Sequence, residues 1–244
     1  MPAMLKSEVG PFPEPRFPQG INLVAEERKA RRRLYPVTLL YVAYFILSLA
    51  LAARSSHAVR ALAFVAMGAF GWTLVEYLVH RHLLHGVFPG RNGLFSRCLH
   101  HLFDGSHSDH HSRPWDGLHI NGHLDTVYAA AVFMPLSLLA PAASASIWVA
   151  TIFLCYTLEE WAHHAMHFWN FEWAYFRYVR GRHLYHHSRH GVGIAYGITS
   201  SVWDTAFGTT IPARQRALLP PLGAFAVRPP KAHAPSTGLS AHGA

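Results

Sequence analysis

The strongest constraint on this chain is an uncharged run, Val37 to Ala53 (VTLLYVAYFILSLALAA), set behind a basic cluster of Arg28, Lys29, Arg31, Arg32 and Arg33. Its 17 residues, taken as a helix, reach the lower limit for crossing about 30 Å of hydrocarbon. No water in a bilayer satisfies peptide groups, so an inserted segment of this kind must be helical. A polar turn, Arg54-Ser-Ser-His57, leads to a second run, Ala58 to Val79, interrupted only by Arg60 and Glu76. A third spans Leu124 to Ala140 with Pro135 inside it. The fourth opens at Ile147 and continues with helical spacing through Glu159-Glu160-Trp-Ala-His163-His-Ala-Met-His167. The expected fold is all-α: four transmembrane helices in two hairpins, with a helical cap on the cytoplasmic side. A soluble bundle with buried helices is the competing architecture.

Charge placement favours the membrane. The net charge is +8 and only 14% of residues are charged, where about a quarter is usual for soluble proteins. The basic residues border the apolar runs, and no aromatic-basic interleaving of a nucleic-acid module is present. Nucleic acid is therefore not an expected partner. Basic flanks put both termini in the cytoplasm. The hairpin turns then face the other side, and every histidine-rich segment falls on the side of the N-terminus. Residues 1–34 read as a disordered tail ending in a basic amphipathic helix on the membrane surface, with no secretory signal. Residues 35–212 form the membrane domain, and 213–244 a largely disordered tail. Cys98 and Cys155 suggest neither a disulfide framework nor a metal knuckle.

Twenty histidines need an explanation, and most of them fall into groups. The groups are Glu76-Tyr-Leu-Val-His80-Arg-His82-Leu-Leu-His85, then His107-x-x-His110-His111, then His163-His164-Ala-Met-His167, then His183-x-x-His186-His187. The bland reading of any one group is a solvated loop. Written four times on one membrane face, they read as a site. Neutral imidazole is the commonest ligand for zinc, iron and copper. Residues four apart share a helix face, so His163 and His167 can share a metal, and one HxxHH helix can reach two. Eight to ten imidazoles exceed the four or so ligands of one zinc, so two ions are expected. Redox-active iron is the expected pair, and zinc fits the same ligands without supporting oxidation.

The phrases EYLVHRHLLH, HSDHHSRPWD, EEWAHHAMH and GRHLYHHSRHGVGIAYGITSSVWDTAFGT resemble the fatty acid hydroxylase/sterol desaturase superfamily, in its order, from about Glu76 to Thr209. The integral-membrane fatty acid 2-hydroxylases are the closest group. The resemblance implies metal ligation by His80, His85, His107, His110, His111, His163, His167, His183, His186 and His187. His80 and His85 are five apart, which an ideal α-helix does not align, so the helix is expected to end or distort near His82. His82, His164 and His190 become outer neighbours. Asp116 and Glu160 are expected to accept from the distal N–H groups of ligating imidazoles. Glu76 reads as a ligand orienter or a snorkelling charge, and Asp204 as a helix cap.

The resemblance also implies an O2-dependent monooxygenase that hydroxylates a lipid acyl chain. Its electrons would come from a separate cytochrome b5-like protein, ferredoxin or reductase, because residues 1–34 are too short for a cytochrome b5 domain and lack histidine. Substrate-binding residues are not assigned. A sterol or carotenoid hydroxylase or desaturase would share the boxes, and a non-catalytic metal-binding protein would keep the metal without the product. Alanine and arginine usage points to a bacterial inner membrane rather than the endoplasmic reticulum.

Overall fold

The computed structural model describes residues 20–88, 93–121 and 124–218, and all regular structure among them is helical. The turn signals at 89–92, His123, the tail 1–19 and the tail from 219 lie outside the described residues.

Helix α1 (Leu23–Ala53) corrects the first expectation. The basic segment is not a separate surface helix but the first third of one 31-residue helix that continues into the apolar run. Asn22 caps it, its side-chain oxygen accepting from the Ala25 N–H at 3.1 Å. Tertiary contacts then hold this segment to the domain. Glu26 accepts from the Gly117 N–H at 3.0 Å, and Arg33 donates to the Leu118 carbonyl at 2.7 Å. Beyond residue 212, Tyr185 donates to Gln215 at 2.8 Å.

After a turn comes α2 (Ala58–Val79), which passes into a π-helical turn over His80–Leu84. Short helices α3 (Leu94–Leu102) and α4 (Asp104–Ser112) follow. Then come α5 (Leu124–Leu138), an irregular turn over 142–146, and α6 (Ile147–Phe168). Helices α7 (Ala174–His186) and α8 (Val202–Ala206) and a 3₁₀ turn, Ala213–Leu218, complete the described chain.

Among the described residues, three helical stretches are long and apolar enough to cross a membrane: Leu23–Ala53, Ala58–Leu84 and Ala142–Phe168. The fourth expected span is shorter, with Pro135 three residues before its end at Leu138. The outer faces are apolar, with Leu39, Ile46, Val59, Leu62, Phe70 and Leu139 all exposed. In water that belt would be a large sticky patch; against lipid tails it costs nothing.

Helix α6 is the central element and packs on both α1 and α2. Tyr41 meets Phe153 at 4.8 Å between ring centroids, and Trp72 meets Tyr156 at 5.9 Å. Close approach of α2 and α6 requires Gly68, where a Cβ would stand 2.9 Å from Thr151 Cβ. Some polar groups in the apolar layer find partners: Tyr44 bonds Ser137, and Trp161 donates to Thr38 at 2.8 Å. Arg60 donates to the Ala143 carbonyl at 3.0 Å, beside the small-residue cluster Ala52, Ala61, Ala143 and Ile147. That cluster marks the end of the bundle far from the histidines.

Candidate metal centre

At the other end of the bundle, all ten imidazoles named from the boxes converge, and they divide into two groups of five. The first holds His80, His85, His107, His111 and His186; the second holds His110, His163, His167, His183 and His187. Within each group one nitrogen from every ring lies within 4.8 Å of the others. Nine of the ten side chains are buried and His85 is half-buried.

Local backbone geometry explains the convergence. The His85 N–H bonds the His80 carbonyl at 3.1 Å, the i→i+5 bond of a π turn. That turn puts residues five apart on one face, so the distortion expected near His82 is what aligns His80 with His85. On α4, His107 and His111 are four apart and face the first group, while His110 faces the second. The end of α7 mirrors this: His183 and His187 face the second group and His186 the first. His163 and His167, one α-helical turn apart on α6, both serve the second.

The donor chemistry fits metal ions. His107 Nε2 lies 3.2 Å from His80 Nε2, 3.0 Å from His85 Nε2 and 3.1 Å from His111 Nε2. In the second group His167 Nε2 lies 3.2 Å from His163 Nε2 and 2.8 Å from His183 Nε2. One ring hydrogen can satisfy only one such approach; a shared cation satisfies all of them. Two rings are fixed in the ligating tautomer. The Nδ1–H of His80 donates to the Tyr196 carbonyl, and that of His186 to the Ile194 carbonyl at 2.8 Å, leaving each Nε2 with its lone pair inward. Burial first, and then repulsion between neighbouring rings, holds His85, His107, His110, His111, His183 and His187 well below the ordinary imidazole value. Burial also lowers His186, to about 4, against an opposing pull from the Ile194 carbonyl. These seven rings are neutral at pH 7, the form that binds metal.

The residues expected around the ligands behave differently. Asp116 accepts from the Leu118 N–H at 3.0 Å and lies 3.7 Å from both Arg113 and His119; no contact links it to a cluster imidazole. Glu160 accepts from the Asn121 side-chain amide at 2.8 Å. His82 is exposed, and His190 is exposed beside Arg189. His164 is fully buried, but on the α1 side of α6, 3.4 Å from Glu27. For His80 and His186 the partner of Nδ1 is a main-chain carbonyl, and a carbonyl carries no residue-type signature. The nearest signal was the glycine-rich phrase Gly191-Val-Gly-Ile-Ala-Tyr-Gly197 that supplies both carbonyls.

A cavity of about 1140 Å³ opens beside the clusters and runs between α2, α5 and α6. Its histidine end is lined by His80, His107, His110 and His163, its wall by Val79, Ile152 and Phe153, and its far part by Trp72, Phe133 and Trp148. From His163 to Trp148 is 15 residues of helix, about 22 Å at 1.5 Å per residue.

The fatty acid hydroxylase family model matches residues 65–209, more than half of the 244-residue chain and all ten histidines. The chain belongs to the fatty acid hydroxylase family. It is 34% identical over 149 residues to fatty acid 2-hydroxylase of Rattus norvegicus, covering 60% of this chain and 39% of that protein. It is also 34% identical over 149 residues to dihydroceramide fatty acyl 2-hydroxylase FAH2 of Arabidopsis thaliana, 59% of each chain. The ceramide very long chain fatty acid hydroxylase scs7 of Schizosaccharomyces pombe is 32% identical over 155 residues, 62% of this chain and 43% of that one. The solved structure of scs7p, in which the hydroxylase domain is visible, superposes with a TM-score of 0.60 at 25% identity, covering 73% of this chain and 67% of that one. The chain thus spans 39% and 59% of the length of the first two relatives.

Proposed function

We propose that this family member is a membrane-bound oxygenase that hydroxylates carbon 2 of a lipid acyl chain, using two iron ions held by the ten histidines. One observation carries the reading: two all-imidazole clusters meet the end of an apolar cavity long enough for an extended acyl chain. The first five rings would hold one ion and the second five the other. Bound iron would supply dioxygen activation and the oxidising power to break an unactivated C–H bond; zinc in the same ligands would not. The chain's own groups do the remaining work. Val79, Ile152 and Phe153 would bind the chain by apolar contact and exclude water, leaving the carbons next to the head group beside the histidines. The Tyr196 and Ile194 carbonyls fix two rings with Nε2 inward. Reducing equivalents would come from a cytochrome b5-like protein, a ferredoxin or a reductase.

Four crossings remain the topology we propose. The irregular turn before α6 packs with the α1–α2 turn, while His163 and His167 lie with the other boxes. Helix α5 must therefore carry the chain from the histidine end to the far end, the same path α6 takes back. The basic start of α1 sets the histidine end and both termini on the cytoplasmic side. The relatives reported above are eukaryotic, so the expectation of a bacterial inner membrane draws no support from them.

The test is lipid mass spectrometry of cells expressing the wild type or His186→Ala with a reductant supplied. The expected result is 2-hydroxylated acyl lipid from the wild type only. Desaturated or ring-hydroxylated product would favour another branch of the family, and metal-loaded wild type giving no oxygen-dependent product would overturn the reading.

A further inference from the structure

We propose that Glu76 and Asp204 are positioning residues for the first histidine cluster alone, acting through the loop 194–199, so that the two metal sites have unequal support. The proposal rests on the metal-centre reading above. Both carboxylates are buried, Asp204 completely. Neither touches an imidazole; both grip the loop whose carbonyls do. Asp204 Oδ1 accepts from the Tyr196 N–H at 2.9 Å and from Thr209 Oγ1 at 2.7 Å. Its Oδ2 accepts from the Gly197 N–H at 3.0 Å and from Arg182. Glu76 Oε1 accepts from the Ile198 and Thr199 N–H groups at 2.6 and 2.9 Å, and Oε2 from the Thr199 hydroxyl.

Consecutive peptides are thereby fixed from residue 195 to 199, since the Ala195 N–H also bonds the Thr209 carbonyl at 2.8 Å. The loop has no slack, because a Cβ at Gly197 would stand 1.9 Å from the Ser200 carbonyl oxygen. The Ile194 and Tyr196 carbonyls that aim His186 and His80 are parts of this one clamped segment. A helix-capping role does not account for Asp204. Ser201 is the N-cap of α8, and the Asp204 carboxylate reaches back past it to the loop. Among the described residues the clamp reaches two rings, His80 and His186, both of the first cluster, whereas in the second His110 and His187 are buried with Nδ1 making no hydrogen bond.

Chemistry separates the two carboxylates. In Glu76→Gln the carbonyl oxygen still accepts both loop N–H groups, and the Thr199 hydroxyl can turn to accept from the new amide. Asp204 uses both oxygens for two donors each, so in Asp204→Asn an NH2 must face N–H donors and leave one pair unsatisfied.

The experiment purifies the full chain in detergent after expression with iron and measures metal per chain, helicity and particle size. Loss of an outer partner weakens a metal site by roughly 10–100-fold, so about two ions per chain should fall to about one in Asp204→Asn and Glu76→Ala. Helicity and particle size stay unchanged, and Glu76→Gln keeps both ions. Adding His187→Ala to Glu76→Ala removes the remaining ion, whereas adding His186→Ala does not. Retention of both ions by Glu76→Ala, or loss of both together, overturns the clamp. The Glu76→Ala and Glu76→Gln pair decides the matter if Asp204→Asn fails to fold. A wild type that binds no metal would instead overturn the metal centre itself.

Discussion

His107 and His110 stand one turn apart on α4 with ring centroids 5.6 Å from each other, yet they serve different clusters. The same division separates His183 from His186. In each HxxHH box the outer residues, four apart, share a cluster, and the middle one crosses to the other. Each short helix thus ties the two clusters together rigidly.

An alanine inserted after Asp109 turns His110 and His111 by about 100° relative to His107, since each residue of an α-helix adds 360°/3.6. Both clusters should lose metal together, although only one box has been altered. Metal analysis of the purified variant checks this, and loss confined to one ion would show that α4 does not tie the two clusters together.

Gly117→Ala tests whether the basic start of α1 belongs to the folded domain. A Cβ there would stand 2.1 Å from the Glu26 carbonyl oxygen and 3.0 Å from the Ala30 nitrogen. The helix must move away, and the Glu26 and Arg33 contacts to residues 117 and 118 go with it. Overpacking of this kind costs about 1–3 kcal/mol. A lower thermal midpoint in detergent is the expected result. An unchanged midpoint would mean the segment contributes nothing to the fold.

Much of this architecture could be read from residue spacing, and the remainder has identifiable physical reasons for being hidden. Long uncharged runs and four histidine groups specify apolar helices with polar clusters at their ends. The five-residue spacing of His80 and His85 even carries the π turn within it. Partition of the boxes was present in the i, i+4 rule but masked by the likeness of HSDHH to HLYHH, which invites pairing box with box. Carboxylates near histidines are common orienters, but Nδ1 of His80 and of His186 meets a peptide carbonyl, which is invisible in residue identity. Continuity of α1 was hidden by its change from basic to apolar, a change in solvent rather than in backbone.

The cavity makes its own prediction. Ile152 lines its wall on α6 between the histidines and Trp148. Ile152→Trp places a large ring across the space and should block long acyl chains. Hydroxylated long-chain product should fall while metal content stays at the wild-type level. Full activity on long chains with the ring in place would mean that substrate enters elsewhere.

Acid should unfold the metal-depleted protein, and the direction follows from the cluster rings. An unfolded imidazole titrates near 6.5. His186 is held at about 4, and His85, His107, His110, His111, His183 and His187 lie well below their ordinary value, because burial penalises the charged form. Between about pH 6.5 and 4 the unfolded chain therefore binds more protons than the folded one, and stability rises with pH across that window. Above about pH 7 both states are unprotonated at these rings, and their contribution is fully present and flat. Thermal midpoints of chelator-treated protein in detergent should thus be level above pH 7 and fall steeply below 6.5. Bound metal competes with the same protons, so the loaded protein should begin to lose stability only at lower pH. Stabilisation on acidification would mean that the rings are paired with charges rather than packed together neutral.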